Sequence, residues 1–197
     1  MSDNNKPPLF YICVDNADDL GAAWRIYTFL RLGGAKHVFC PVFKLQTCVL
    51  FDEKLLDRLK KKYEKIVIVC LSRRVVLLRR EGRILLSPWK RLSFLDKLRY
   101  VLYTRFPKLF YWRYFEYFFL GAFNRRDKQI IEILLPMDLI EKTGSEPLAV
   151  FIHELLHIGR EEDCPVEGCI GRSYTRAGWG MCKECRKLLK EIIKGNF

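Results

Sequence analysis

Three stretches of this chain are apolar at almost every position: Leu9-Phe-Tyr-Ile-Cys-Val14, Ile66-Val-Ile-Val-Cys-Leu71 and Gln129-Ile-Ile-Glu-Ile-Leu-Leu135. Each is too short for a helix-length run and is bounded by polar residues or proline, so each predicts a buried strand. Weaker alternation over 36–51 predicts one or two further strands, with Val38, Val42, Phe43, Cys48 and Leu50 pointing inward. Val75 to Leu86 predicts a hairpin, since Arg80-Glu81-Gly82-Arg83 supplies turn chemistry between two apolar runs.

Between these lie helical patterns. Asp18 or Asp19 is placed to cap a helix that runs toward Leu32 and ends at Gly33-Gly34. Glu53 to Tyr63 is amphipathic, and residues 92–104 read as a helix that Pro107 stops. Tyr111 to Phe123 fits helix or strand, and 124–127 reads as a turn. Ser145 as N-cap and Pro147 in the first turn announce a helix over 146–158, with Leu148, Ile152, Leu155 and Leu156 packing inward. A basic amphipathic helix over 183–194 closes the pattern. Strands and helices that alternate in this way predict an α+β (α/β-like) layer with the helix of 146–158 beneath the sheet. The domain reading is a loose tail (1–8), a main body (9–158) that ends in that helix, and a small C-terminal part (159–197).

The same helix carries the chemistry. It reads His153-Glu154-Leu155-Leu156-His157, which takes two of the chain's 3 histidines. Imidazoles at i and i+4 share a face and can share one zinc ion, while the intervening glutamate lies beside that face, placed to act as general base. A catalytic zinc has three protein ligands and one open position. Gly159 can end the helix in a left-handed turn that brings the chain back, which makes Asp163 the candidate third ligand, with Glu161 and Glu162 as rivals. His37, the remaining histidine, is given no role.

Cysteine usage adds a second centre. Cys13, Cys40, Cys48 and Cys70 are scattered in apolar runs, as ordinary buried cysteines are. Cys164, Cys169, Cys182 and Cys185 instead form C-x4-C-x12-C-x2-C, with Pro165, Gly168 and Lys183-Glu184 suited to tight knuckles. Four thiolates in two pairs make a closed tetrahedral site, which is structural in kind.

HELLHIGREEDC and the cysteines after it resemble the metzincin metallopeptidases, whose signature is HExxHxxGxx followed by His or Asp. They are most similar to the archaemetzincins, in which the signature runs into a cysteine, four residues, another cysteine, and later CxxC. His153, Glu154, His157, Asp163, Cys164, Cys169, Cys182 and Cys185 fall at matching places. Phe119-Leu-Gly-Ala122 and 129–135 look like the family's substrate-side approach. The departures are Asp163 where the family usually has His, a glycine one place early at Gly159 with Arg160 behind it, Gly171 where a methionine is expected, and a shorter spacer to Cys182. Met181 is the methionine nearest that place. The resemblance implies a twisted mixed sheet over an active-site helix. It also implies one catalytic and one structural Zn(2+), and peptide-bond hydrolysis with Glu154 as general base and acid. A peptide or protein substrate would pair with a sheet edge, for which strand 129–135 is the candidate.

Length and charge refine this picture. At 197 residues and 50% hydrophobic, the chain can bury a real core. A formal net charge of +12 favours polyanions. The competing function is therefore a zinc-binding protein, weak or inactive as a catalyst. It would bind nucleic acid through Trp89, Lys90, Arg91, Arg99, Tyr103, Arg105, Tyr111, Trp112 and Arg113. SprT-like peptidases also join HExxH to four cysteines, but their third histidine lies farther downstream, and no histidine follows His157 here. The polar start MSDNNKPP shows no signal peptide. Phe106 to Phe123, the most apolar segment, carries Lys108, Arg113 and Glu116, which makes it a poor membrane span. The expectation is a soluble, cytoplasmic chain.

Overall fold

The computed structural model describes residues 8–40, 53–73, 75–80, 83–88, 93–95, 97–98, 121–125, 128–172 and 180–197. Strands β1 (Leu9–Val14), β2 (His37–Phe39), β3 (Ile66–Ser72), β6 (Ala122–Arg125) and β7 (Ile130–Pro136) form one sheet in the order β2-β1-β3-β7-β6. The first four run parallel, and β6 pairs antiparallel with β7. Strands β4 (Val75–Arg80) and β5 (Arg83–Pro88) make the expected hairpin, with Arg80 opposite Arg83. The chain is thus a mixed α/β structure. The expected inward positions Val42, Phe43, Cys48 and Leu50, most of 92–104 and 111–120 lie outside the described residues.

The central strands are apolar at almost every step, Glu132 of β7 being the buried charged exception, because both faces of the sheet are covered. On one face Phe10, Ile12, Val14, Val67, Val69, Leu71, Ile131, Ile133 and Leu135 meet helix α1 (Leu20–Leu32) and helix α4 (Pro147–Leu156). On the other face Tyr11, Cys13, Ile68, Cys70 and Leu134 meet Leu55, Leu56, Leu59 and Tyr63, at and just beyond helix α2 (Glu53–Lys62). Phe29 of α1 packs edge-on to Phe151 of α4, centroids 6.4 Å apart. Phe151, Ile152, Leu155 and Leu156 are buried, at roughly 1.5–3 kcal/mol per side chain, so α4 is held by its apolar face. Helix α5 (Lys183–Lys194) seals the same core through Leu189, Ile192 and Ile193, and Cys164, Cys169, Ile170 and Cys185 belong to it too. The core therefore continues across the boundary expected at 158/159.

Several local expectations are corrected. Strand 129–135 is not an edge: β6 pairs along its side, and among the described residues β6 is the last strand of the sheet there. Asn124 and Arg125, expected in a turn, belong to β6. Helix α3 (Met137–Thr143), which had no sequence signal, turns the chain between β7 and α4 and ends at Gly144 in the left-handed region. Ser145 does not cap α4. Glu146 occupies the N-cap position without a side-chain bond, Pro147 fills the first turn, and the Ser145 hydroxyl meets that of Thr143.

Nor does Asp19 cap α1 with its side chain, although it holds the N-cap position. At 1% exposure its carboxylate is taken instead by Arg73, whose Nε and Nη2 donate at 2.8–3.2 Å. The bonds to Asp19, then to Glu141, hold the Arg73 guanidinium well above its ordinary range. Removing one member of a buried pair strands the other charge, at a cost of about 3–5 kcal/mol. Arg73→Ala is thus expected to lower the urea midpoint steeply. Adding Asp19→Asn should recover part of the loss, and a double variant no more stable than the single one would count against this account.

Candidate metal centres

Helix α4 presents His153 and His157 on one face, one turn apart. His153 Nδ1 lies 2.9 Å from the Ile170 carbonyl. A carbonyl can only accept, so Nδ1 carries the proton and Nε2 is left with its lone pair, the form a metal requires. Burial pushes the His153 imidazole below its ordinary range and keeps it neutral. His153 Nε2 and His157 Nε2 are 3.1 Å apart, and Asp163 Oδ1 lies 3.6 and 3.4 Å from them. Tetrahedral ligands at zinc–nitrogen and zinc–oxygen distances of about 2.0–2.2 Å lie about 3.3–3.5 Å from one another. The donor set therefore fits an ion of that size. Asp163 completes the group, whereas its rivals Glu161 and Glu162 stay outside it as exposed side chains.

The turn from helix to third ligand differs from expectation. Gly159 is not in the left-handed region; α4 ends at His157 in helical conformation and the chain continues through tight turns. The absent side chain at Gly159 leaves room for Leu188 on α5, whose Cδ1 would lie 2.5 Å from a Cβ there.

Glu154, between the two histidines, is 4% exposed. Its side chain lies against the backbone of Gly121, where a Cβ would stand 2.6 Å from both Cγ and Oε1. Arg125 Nη2 donates to the Ile158 carbonyl at 3.3 Å, so the segment 121–125 is fastened alongside α4 at both ends. The sequence placed Gly121 only within Phe119-Leu-Gly-Ala122, the run that resembles the family's substrate-side approach, and gave the glycine itself no role. A glycine at the entry to a strand marks a place where another group approaches closely.

The four C-terminal cysteines gather as a second group, their sulfurs all within 4.8 Å of one another. Cys164 and Cys182 sulfurs are 3.7 Å apart, against about 3.8 Å for tetrahedral thiolates at about 2.3 Å from zinc. Gly168, at φ 71°, makes the tight turn before Cys169 that a residue with a side chain disfavours. The backbone N–H groups of Cys182 and Cys185 donate to the sulfurs of Cys169 and Cys182, both at 3.4 Å. The N-terminus of α5 thus points its partial positive charge at the cluster. Burial opposes ionisation of Cys164, but the Val166 amide, Arg160 and the neighbouring thiols together lower it to about 6. Burial, then the bonds to Cys182, Cys169 and Cys164, pushes Cys185 up. The remaining protons leave as a metal binds.

Other sequence candidates are accounted for separately. Cys13 and Cys70 are buried, outside any disulfide, and opposite each other in β1 and β3. Cys40 is half-buried, and burial raises its thiol to about 11. Cys48 lies outside the described residues. His37 packs edge-on to Tyr63 and joins no metal group among the described residues. Met181 packs against the core beside Cys182. The nine basic and aromatic residues from Trp89 to Arg113 named above all lie outside the described residues. Among the described residues no helix is long and apolar enough to cross a membrane. No protein-family model, curated protein or solved structure matches this chain.

Two groups whose donor atoms all lie within 4.8 Å of one another can hold two ions. The whole chain should carry two equivalents of metal, and His153→Ala with His157→Ala should leave one, held by cysteine. Elemental analysis of the purified variant decides this, and two retained equivalents would place the first ion elsewhere.

Proposed function

We propose that the chain is a zinc-dependent peptidase of archaemetzincin-like type. His153, His157 and Asp163 hold the catalytic Zn(2+), and Cys164, Cys169, Cys182 and Cys185 hold a structural Zn(2+). The contrast between the two donor sets carries this reading. The cysteine set is four-fold and mostly buried, whereas the histidine set numbers three among the described residues and opens to solvent through Asp163, whose side chain is 56% exposed. Three protein ligands facing solvent is the arrangement of a catalytic zinc, and four thiolates that of a structural one. A mixed sheet with an antiparallel strand beside the histidine helix also agrees with the fold that the resemblance implies.

A zinc ion held by His153, His157 and Asp163 would supply carbonyl polarisation and a bound water that ionises near neutral pH. The chain's own part is proton handling and positioning. Glu154 takes the proton of the attacking water and returns it to the leaving amine nitrogen as the peptide C–N bond breaks. Gly121 gives its carboxylate the room to stand beside the histidine face. An extended peptide pairs with the side of β6 away from β7; β6 runs along α4 from Glu154 toward Ile158.

Glu154→Gln should retain both metals and lose peptide cleavage by about 100-fold or more, the usual scale of general acid–base catalysis. Undiminished cleavage by that variant would remove Glu154 from the mechanism. Gly121→Ala should keep metal content and fold but cut kcat, because the added methyl displaces the Glu154 carboxylate. A Gly121→Ala enzyme with unchanged kcat would show that the carboxylate works from another position.

A further inference from the structure

The residue between the two centres is Arg160. Its Nη1 donates to the Cys185 sulfur at 3.2 Å, and its Nη2 donates to the Gly171 carbonyl at 2.7 Å. The same Gly171 carbonyl accepts from the Cys164 amide at 2.8 Å. One residue earlier, the Ile170 carbonyl orients His153, and the Ile170 amide is fixed to the Gly180 carbonyl at 2.7 Å. Thus a short stretch, Ile170-Gly171, faces the histidine centre with one carbonyl and the cysteine centre with the next.

Arg160 is inserted, not splayed on the surface. Its Nε is shut off from solvent with no hydrogen-bond partner among the described residues. Gly171 makes the space, since a Cβ there would lie 2.2 Å from Arg160 Nη2. A guanidinium stays charged at any physiological pH, so a confined one requires a counter-charge. Among the described residues no carboxylate pairs with it; besides the Gly171 carbonyl its partner is the Cys185 sulfur of the cysteine cluster. Four thiolates around a dication keep net negative charge, which supplies the missing counter-ion.

We propose that Arg160 is a positioning residue that couples the two centres. Anchored on the Cys185 sulfur of the cysteine centre, it holds Ile170-Gly171 in place and so keeps His153 aimed at the histidine–aspartate centre. This rests on the metal reading above. The resemblance does not supply it, because the family signature has glycine where Arg160 stands. Groups that orient a ligand from behind typically change metal affinity by 10–100-fold.

The test uses the full chain with zinc kept in the cysteine centre and Co(2+) titrated into the other, followed by the cobalt d–d absorption. Wild type is measured first, and failure to bind Co(2+) there would overturn the metal reading and this inference together. With wild-type binding established, Arg160→Gln should weaken Co(2+) by 10–100-fold and alter its spectrum, while the thiolate centre stays loaded. Arg160→Lys, which keeps the charge but loses the forked contact, should fall between. Gly171→Ala displaces the guanidinium without changing charge, so it provides the same readout if Arg160→Gln fails to fold. Wild-type-like Co(2+) affinity and spectrum in a folded Arg160→Gln or Gly171→Ala variant would overturn the coupling alone.

Discussion

One peptide bond, between Asp163 and Cys164, joins a ligand of the open centre to a ligand of the closed one. The two side chains diverge across that bond: Asp163 reaches toward solvent, and Cys164 enters the core. Neither position can shift without disturbing the other, so the path of the chain from His157 to Gly171 is fixed at two points. Between them there is little regular structure to supply order. Ordering such a segment costs about 1–2 kcal/mol of backbone entropy per residue. The core contacts of Ile158 and Ile170, a few backbone bonds and the thiolate centre must offset that cost. Metal binding at the cysteines is then part of folding for this half of the molecule, as in other small thiolate-clasped segments.

Helix α4 is the fixed reference against which that segment is positioned. It has no side-chain cap and gains its stability from burial under the sheet and against α1 and α5. This has a functional consequence. A helix held by its apolar face cannot rotate to follow a ligand, so His153 and His157 keep one orientation and the loop must come to them. Gly159 allows this by letting α5 approach, and Gly121 does so on the opposite flank by letting the β6 segment approach Glu154. Both glycines are steric clearances at places where two backbone elements converge.

The residues that make the two centres were legible because coordination chemistry leaves a spacing signature. Histidines at i and i+4 need only a helix, and paired cysteines need only tight turns, so both sets can be read locally. The three buried strands were legible for a similar reason, as continuous apolar runs occur where a sheet is covered twice. What stayed hidden depends on partners far away in sequence. Asp19 looked like a cap until Arg73, 54 residues on, claimed its carboxylate. The 129–135 strand looked like an edge because nothing in its own sequence announces that Ala122–Arg125 will pair beside it. Nothing local to Gly121, Ile170 or Arg160 says what each of them will touch. They act through a clearance, a carbonyl and a sulfur contact that exist only once the chain has folded.

Aspartate in place of a third imidazole changes how the open centre divides its work. Three neutral imidazoles leave an ion its full charge, whereas the Asp163 carboxylate cancels one unit and makes the centre a weaker electrophile. On the proposed reading more of the proton transfer would then fall to Glu154, whose placement is constrained by burial and by the Gly121 backbone. An exposed carboxylate is also a looser ligand than a buried imidazole that is hydrogen-bonded from behind, as His153 is. The rigidity that Asp163 lacks as a side chain is supplied through its neighbour: Cys164 is bound by its amide to Gly171 and by its sulfur to the clasp. A carboxylate can serve as third ligand at a solvent-facing position here because the next residue is locked in the core.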